Sequence, residues 1–256
     1  MNWIDRSKLA NHELLAGTFL NLGSANSTEI AGQLGYDWLL LDLEHGSGSW
    51  ADLRGQLQAL HGSESVAIVR VRSTNADAVK FVLDSGAAGI MFPYISSVAE
   101  AQLAVAAVKY PPQGQRGVAQ TIRATDYGRN WQEYLQTANQ STMVIVQIET
   151  PEAAAAADEI AAVEGVDALF IGPMDLSVNL GCPGEFHGDV FQSLLAGVVA
   201  ACRRHGKTAG ILSRPELLDT HFQQGFRLIA LGSDTGSIVS GLSAGLRQLR
   251  ACRNQS

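Results

Sequence analysis

The amino-acid sequence predicts an α/β fold, a (β/α)8 TIM barrel, because two patterns alternate along its 256 residues. The first is a set of eight short runs, rich in leucine and β-branched residues, that are apolar at nearly every position. Strands that are apolar on both faces are typical of a parallel sheet covered by helices. The second is a series of Ala- and Leu-rich stretches with apolar residues three or four positions apart, which indicates those helices. Such units close most naturally into a barrel, and no linker interrupts them, so we expect one domain over residues 1–256.

The predicted strands follow one another at spacings that leave room for helices between them. In chain order they are residues 16–22, 36–44, 66–72, 89–95, 142–149, 168–173, 208–213 and 226–234. Helices are predicted most clearly over 97–109 and 151–163, and Pro151 suits the first turn of the second. The Pro- and Gly-rich stretch 110–130 is predicted to be a long loop.

The C-terminal stretch 235–256 predicts a last helix whose apolar side is longer than its own barrel needs. That side carries Ile238, Leu242, Leu246 and Leu249. An apolar helix face of this kind is normally buried, so we expect part of it to cover a neighbouring copy of the chain.

Composition argues against several classes of function. The net charge is −7 and no basic block occurs, so nothing indicates nucleic acid, and an acidic surface disfavours an anionic membrane. The N-terminal residues contain no apolar signal region, and no apolar run approaches the ~20 residues of a membrane span. Cys182, Cys202 and Cys252 are widely spaced without a CxxC pair, which is typical of reduced thiols. We therefore expect a cytoplasmic protein without disulfide bonds.

Active sites of barrel enzymes lie at the C-terminal ends of the strands, so polar residues there are candidates. Such residues are Asp42, Glu44 and His45 after strand 2, Arg70 and Arg72 at strand 3, Gln147 and Glu149 at strand 5, and Asp175 after strand 6. Because side chains alternate along a strand, Asp42 and Glu44 share a face, as do Gln147 and Glu149. We expect these groups to converge on one polar pocket, since unpaired buried charges are costly.

Two carboxylates of this set, Glu149 and Asp175, come from adjacent strands and would repel each other at close range. A divalent cation relieves such repulsion, and oxygen ligands suit Mg²⁺ or Mn²⁺, which complete their octahedra with waters or substrate. A lone acid at a strand end often caps a helix or pairs with an arginine, but several acids on one rim favour a metal site. No nearby Cys or His supports a zinc centre.

The lysines indicate which chemistry the pocket lacks. All of them lie away from the C-terminal ends of the predicted strands: Lys8, Lys80, Lys109 and Lys207. A Schiff-base mechanism needs a lysine in the pocket, so carbanion chemistry here would use a metal ion as the electron sink.

Five motifs occur in one order along the chain: DWLLLDLEHG, YPPQGQRGVA, VQIET, EGVDALFIGPMDLS and GILSRPE. Over about residues 15–240 the sequence resembles the HpcH/HpaI family of class II, metal-dependent 2-oxo-acid aldolases. The resemblance implies a barrel enzyme that cleaves a 4-hydroxy-2-oxo acid to pyruvate, or hydroxypyruvate, and an aldehyde, and that runs the reverse addition. It also implies a divalent metal cofactor, Mg²⁺, Mn²⁺ or Co²⁺, and a homohexamer.

The resemblance further implies roles for individual residues. Glu149 and Asp175 match the metal ligands of the family. His45 matches the general base, and Arg70 matches the group that stabilises the enolate oxygen. Gln147 matches a residue of the pyruvate site.

Other matches concern the substrate carboxylate and the general base. The backbone N–H groups of Met174 and Asp175 match the donors that hold the substrate carboxylate at a helix N-terminus. Asp42 and Asp84 match acids associated with the basicity of His45. Asp84 ends a helix, on the wrong face of its own barrel, so we expect it to reach His45 of a neighbouring subunit.

Two alternative functions are left open by the residues. A related barrel lyase acting on an acyl-CoA would need an exposed basic patch for the nucleotide, which the sequence does not contain. A non-catalytic protein that binds a 2-oxo acid would have no use for the set His45, Arg70, Glu149 and Asp175. In each case we expect the ligands to be small molecules. We expect the protein to bind neither nucleic acid nor a membrane.

Overall fold

The computed structural model describes residues 2–253 and contains a closed barrel of eight parallel strands in the order β1 to β8. The strands are β1 (Leu15–Leu20), β2 (Trp38–Asp42), β3 (Val66–Arg70), β4 (Gly89–Phe92), β5 (Met143–Ile148), β6 (Ala168–Ile171), β7 (Thr208–Ser213) and β8 (Leu228–Ser233). The helices are α1 (Arg6–Ala10), α2 (Ala25–Gln33), α3 (Trp50–Ala59), α4 (Ala76–Asp84), α5 (Val98–Val108), α6 (Trp131–Ser141), α7 (Pro151–Ala155), α8 (Ala157–Ala161), α9 (Pro173–Asn179), α10 (Asp189–Arg204), α11 (Leu218–Gln224) and α12 (Asp234–Arg253). β1 pairs with β8 and closes the barrel, which confirms the predicted fold.

The eight predicted strands are all present, and most end earlier than predicted. The run 36–44, for example, is a strand only from Trp38 to Asp42. Pairing between β2 and β3 stops where Asp42 lies opposite Arg70, because the chain then turns away from the ladder. Glu44 and His45 therefore lie in the loop after β2, and not in the strand itself.

The helical predictions are confirmed with one correction. The predicted helix 151–163 is two short helices, α7 and α8, with a break at Ala156. The stretch 110–130 is a loop, as predicted, apart from a 3₁₀ turn at Arg123–Thr125. The predicted helix 235–256 is present as α12, and its last three residues lie outside the described part of the chain.

Alternating side chains of the strands fill the barrel interior. The rings of Phe19 and Trp38 each contact Phe170, at centroid distances of 6.2 Å and 6.0 Å. Gly17 leaves room for the Trp38 indole, since a Cβ at position 17 would lie 2.1 Å from that ring. Trp38 Nε1 donates to the Leu15 carbonyl oxygen at 3.1 Å, so this buried polar atom is satisfied. The interior is thus packed with apolar groups up to the C-terminal ends of the strands, where polar inward side chains begin.

The N-terminal end of the barrel is covered by α1 and by ion pairs. Arg6 Nη1 lies 2.6 Å from Asp167 Oδ1, and Lys8 Nζ lies 2.7 Å from Asp37 Oδ1.

A cavity of about 920 Å³ opens beside the start of β3, away from the polar C-terminal rim. In the described part of the chain, no helix is long and apolar enough to cross a membrane.

Helix α12 leaves its apolar side in solvent. None of its described residues is buried, although it starts directly after β8. The exposed apolar side chains along it are Ile238, Val239, Leu242, Leu246 and Leu249, with exposed fractions between 47% and 72%. In α2, which follows the β1 strand that pairs with β8, Ile30 is exposed as well, and so is Leu34 directly after the helix. The apolar side predicted from the sequence is therefore present, and no other described residue of the same chain buries it.

Candidate active site

Asp42 and Arg70 lie side by side in neighbouring strands and form the buried floor of the polar rim. The register of β2 and β3 pairs the two residues directly. The Asp42 carboxylate accepts two hydrogen bonds from the guanidinium, from Nε at 2.9 Å and from Nη2 at 2.7 Å. Burial opposes the charge of Arg70, but the hydrogen bonds and the charge of Asp42 outweigh burial and raise the pKa of Arg70. Arg70 is thus a permanent cation held in one orientation, with N–H groups left over for a substrate.

Glu44 and His45 lie in the loop above this pair. Glu44 Oε2 is 3.0 Å from Arg70 Nη1, and burial raises the pKa of Glu44 against the opposing charges of Arg70 and His45. His45 Nε2 is 3.8 Å from Glu44 Oε2, and the His45 side chain is 64% exposed. Asp42 Oδ1 accepts the backbone N–H groups of Glu44 at 3.0 Å and His45 at 3.4 Å. Within one chain Asp42 therefore orients Arg70 and the loop backbone, whereas the imidazole, which it was expected to support, lies next to Glu44.

Glu149 follows β5 and is almost completely buried. Gln147 and Glu149 share the inward face of this strand, as the alternation predicted, and Gln147 Nε2 donates to Glu149 Oε1 at 3.0 Å. Gln147 Oε1 is buried and has no hydrogen-bond partner among the described residues. Burial is the main cause that raises the pKa of Glu149 to about 7, and the charges of Asp175 and Glu44 act in the same direction. The surroundings of the Glu149 carboxyl group therefore contain too little positive charge to favour its ionised form.

Asp175 lies in the first turn of α9, which begins just after β6. Gly172 is the N-cap of this helix and offers no side chain to its first-turn N–H groups, which include those of Met174 and Asp175. Gly172 also packs against Glu149, because a Cβ at position 172 would lie 2.5 Å from Glu149 Oε1. This close approach brings the start of α9 to the buried carboxylate.

Replacing Gly172 by Ala is expected to disturb the Glu149 carboxylate and to leave the barrel intact. The added methyl group would meet Oε1 at 2.5 Å, whereas the extended backbone of Gly172 (φ −94°, ψ 92°) suits alanine. A misplaced site group of this kind costs on the order of 10² in rate. We therefore expect the rate of the reaction at this site to fall by about that factor, with a small change in melting temperature, in parallel assays of activity and thermal unfolding.

Gly188→Ala is the matched control for this variant. Gly188 is also the N-cap of a helix, α10, and has an extended backbone. A Cβ at position 188 would have its nearest neighbour at an ordinary 3.8 Å. We expect this variant to keep its activity, and full activity in Gly172→Ala would contradict the close contact with Glu149.

Tyr94 is a residue of the rim that the sequence patterns did not single out. Its backbone N–H donates to Glu149 Oε2 at 2.9 Å, and its hydroxyl donates to Asp175 Oδ1 at 3.0 Å. Burial and the bond to Asp175 raise the pKa of Tyr94 to about 12. The strand prediction 89–95 included this residue, but β4 ends at Phe92. The usable signal was its position at a strand's C-terminal end, where barrel enzymes place their site residues.

The rim carries more acid than base. Asp42, Glu44, Glu149 and Asp175 interact electrostatically, and Arg70 is the permanent cation among their partners in the described structure. Among residues 2–253, no cluster of three or more His, Cys, Asp or Glu residues could hold a metal ion. A site of two carboxylates, completed by substrate and water, is nevertheless the usual arrangement for Mg²⁺. The donors and the excess negative charge therefore fit a divalent cation of that kind at Glu149 and Asp175.

Asp84 lies away from this rim, at the end of α4. Its Oδ1 is 2.8 Å from Arg116 Nη2, and the Arg116 guanidinium packs on the rings of Tyr110 and Tyr134, at 4.5 Å and 5.7 Å from their centroids. Asp84 therefore ties the long loop 110–130 to α4. Its side chain is 20% exposed on the outside of the barrel, so it does not contribute to the site of its own chain.

Comparison with known proteins gives similarities over most of the chain. Residues 15–241 match the model of the HpcH/HpaI aldolase/citrate lyase family. The chain is 42% identical over 226 residues to 2-dehydro-3,6-dideoxy-6-sulfogluconate aldolase of Pseudomonas putida, with 88% of each chain covered. It is 40% identical to hydroxypyruvate/pyruvate aldolase of Paraburkholderia phytofirmans, with 96% of this chain and 97% of that relative covered. The structure of an HpcH/HpaI aldolase/citrate lyase family protein from Burkholderia cenocepacia superposes with a TM-score of 0.90 at 35% identity, covering 96% of this chain and 98% of that one.

Proposed function

Since this chain belongs to the HpcH/HpaI aldolase/citrate lyase family, we propose that its C-terminal rim is the active site of a class II aldolase. The enzyme cleaves a 4-hydroxy-2-oxo acid to pyruvate, or hydroxypyruvate, and an aldehyde, and it catalyses the reverse addition. The observation that carries this proposal is the set of two linked carboxylates, Glu149 and Asp175, on the same rim as the fixed guanidinium of Arg70. Such a set suits a reaction in which charge develops on a 2-oxo group.

Each polar group of the rim has a role in this reaction. Glu149 and Asp175 would hold the divalent cation, Mg²⁺, Mn²⁺ or Co²⁺, which when bound supplies Lewis-acid stabilisation of the substrate's 2-oxygen. Arg70 donates to the same oxygen, where negative charge collects as the C3–C4 bond breaks. Gln147 borders the pyruvate portion, and its unpartnered Oε1 can accept from water or from the hydroxyl of hydroxypyruvate. The N–H groups of Met174 and Asp175 hold the substrate carboxylate at the start of α9.

His45 is the general base of the proposed reaction. In the cleavage direction it removes the proton of the 4-hydroxyl, the C4–O bond becomes the aldehyde carbonyl, and the electron pair of the C3–C4 bond passes to the enolate. The enolate then takes up a proton at C3 from water to give pyruvate. In the addition direction His45 returns that proton to the new hydroxyl. Imidazole suits both steps because a ring nitrogen can accept a proton and donate it back. The exposed position of His45 on the loop after β2 supports this role at the mouth of the barrel.

A coupled assay for pyruvate release tests the function. Turnover that EDTA abolishes and that Mg²⁺ or Mn²⁺ restores is the expected result, whereas turnover that persists without metal would contradict the proposal. A panel of 4-hydroxy-2-oxo acids that differ in the aldehyde portion identifies the substrate. Cleavage of an acyl-CoA in preference to the whole panel would assign the related lyase activity, and binding of 2-oxo acids without turnover would assign a non-catalytic role.

The exposed apolar side of α12 supports a homo-oligomer, which we expect to be a hexamer. A helix that buries none of its described residues, together with the exposed side chains of Ile30 and Leu34, suits an exchange in which each α12 covers the barrel of a neighbour. If subunits complete one another in this way, activity and melting temperature fall together on dilution. Sedimentation velocity over a range of concentrations measures the assembly. A fully active monomer would contradict this prediction.

The position of Asp84 supports active sites that are shared between subunits. We expect Asp84 of one subunit to approach His45 of a neighbour and to hold the imidazole there. Mixed oligomers of His45→Ala and Asp84→Asn chains would then contain sites with an intact His45 from one chain and an intact Asp84 from the other. We therefore expect subunit exchange between the two variants to restore part of the activity. A mixture no more active than its separate components would limit Asp84 to holding Arg116 and the long loop.

The cysteines support a cytoplasmic location. Cys182, Cys202 and Cys252 are all free thiols, and free thiols persist in reducing compartments. Burial raises the pKa of the Cys202 thiol to about 12, so this side chain acts as an unreactive apolar group. Cell fractionation tests this location.

A further inference from the structure

We propose that Tyr94 is a positioning residue for the cation site, because it holds Glu149 and Asp175 at the same time. This inference rests on the proposed function, since it takes these two carboxylates to be the residues that bind a divalent cation. Tyr94 would act through both acids by fixing the distance and orientation between them.

One residue reaches both carboxylates with two different donors. The Tyr94 N–H donates to Glu149 Oε2 at 2.9 Å, and the Tyr94 hydroxyl donates to Asp175 Oδ1 at 3.0 Å. The two acids come from different units of the barrel, after β5 and after β6, and two carboxylates cannot donate hydrogen bonds to each other. Their like charges also repel, as the effect of Asp175 on the pKa of Glu149 indicates. Tyr94 therefore supplies a direct link between them that offsets this repulsion.

The backbone of Tyr94 has the conformation that this double contact needs. Its φ is +51°, in the left-handed region, which a bulky residue other than glycine rarely adopts. Such a conformation persists only where its surroundings hold it in place. The N–H and the hydroxyl of Tyr94 are donors that do so, each fixed by a carboxylate of the site. The next residue also ties this segment to β5, because the Ile95 N–H donates to the Gln147 carbonyl oxygen at 3.2 Å.

The hydrogen bonds from Tyr94 leave both carboxylates able to bind a cation. A carboxylate has about four lone-pair sites on its two oxygens, and each donor occupies one. Asp175 Oδ2 accepts no hydrogen bond among the described residues, so the phenol holds one oxygen and leaves the lone pairs of the other unused. Neutral donors that orient ligand carboxylates tune the affinity of metal sites, and their loss typically weakens binding by about 10- to 100-fold.

Tyr94→Phe tests the inference because it removes the hydroxyl and keeps the ring. Mn²⁺ is titrated into metal-stripped protein without substrate, and free Mn²⁺ is followed by its electron paramagnetic resonance signal. We expect the Mn²⁺ dissociation constant to rise about tenfold, with the melting temperature of the metal-free protein unchanged. The Mn²⁺ concentration for half-maximal turnover should rise by the same factor, and kcat should recover at saturating Mn²⁺.

Tyr127→Phe is the matched control. Tyr127 is also an exposed tyrosine with a left-handed backbone, φ +55°, but it lines the cavity beside the start of β3. We expect its Mn²⁺ affinity to equal that of the unmodified protein.

The remaining outcomes separate this inference from the proposed function. Unchanged Mn²⁺ affinity in Tyr94→Phe, with affinity lost in Glu149→Gln, would overturn the role of Tyr94 and leave the metal site standing. Weaker binding accompanied by a lower melting temperature of the metal-free protein would reduce Tyr94 to a structural role. An unmodified protein that binds no Mn²⁺ would overturn the proposed metal site itself.

Discussion

Glu149→Gln and Asp175→Asn are each expected to abolish metal-dependent cleavage while the barrel stays folded. Both substitutions keep the size of the side chain and remove the negative charge that a divalent cation requires. Loss of a bound Lewis acid removes several kcal/mol of stabilisation from the developing enolate, which corresponds to on the order of 10³ in rate. The effect is expected in kcat, because the charge on the 2-oxygen develops as the bond breaks.

The stability of the metal-free variants gives an independent readout. Glu149 is buried, and both its burial and the charge of Asp175 disfavour its ionised form. Removal of that charge therefore should not lower the melting temperature of the metal-free protein, while the stabilisation that added Mg²⁺ or Mn²⁺ gives to the unmodified enzyme should be lost. Glu152→Gln is the control, since Glu152 is an exposed acid in the first turn of α7. Retained metal-dependent activity in either variant would show that the cation lies elsewhere.

The strand periodicity explains why much of the rim could be predicted from the sequence. Alternation along β5 is a local property, so Gln147 and Glu149 had to share a face once the strand was recognised. Closure of eight parallel strands then brought the C-terminal strand ends together, whatever the details of packing. The register between β2 and β3 could not be predicted from the sequence, because it depends on the stagger of the whole barrel. This register places Asp42 directly opposite Arg70.

That register also explains why the expected partner of His45 was not found within one chain. Asp42 meets the guanidinium of Arg70 with both carboxylate oxygens, and a bidentate arginine pair is stronger than a single bond to an imidazole. The sequence contains the acid, the arginine and the histidine, but no pattern in it predicts whether Asp42 pairs with Arg70 or with His45. The ring of His45 is left largely exposed, next to Glu44.

Features that depend on single backbone angles also escaped sequence patterns. Tyr94 belongs to an apolar run that continues beyond the end of β4, and no residue pattern in this run predicts the positive φ of Tyr94. The break between α7 and α8 falls at Ala156, inside an alanine-rich stretch without glycine or proline. By contrast, the apolar stripe of α12 was predictable because it is a property of helical periodicity.

Arg70→Lys is expected to lower kcat by on the order of 10²–10³, as the loss of an oxyanion donor does. Lysine keeps the positive charge beside Asp42, but it cannot reproduce the two parallel hydrogen bonds that hold the guanidinium. Arg70→Ala is a poorer test, because it leaves the buried Asp42 carboxylate without its partner and costs about 3–5 kcal/mol of stability as well. The lysine variant therefore separates the role of Arg70 in the reaction from its role in the fold.

Steady-state kinetics at saturating metal measure this effect, with Mn²⁺ affinity determined in parallel. We expect the affinity for Mn²⁺ to change much less than kcat, since Arg70 is not one of the proposed ligands. Arg72→Lys is the control: Arg72 follows β3 two positions after Arg70, is exposed, and donates its Nε to the Leu43 carbonyl oxygen at 2.7 Å. Its kcat should stay within a few-fold of the unmodified enzyme, as for a surface substitution. A change in Arg70→Lys confined to KM would mean that Arg70 binds substrate and transition state equally well, and that the enolate charge is stabilised without it.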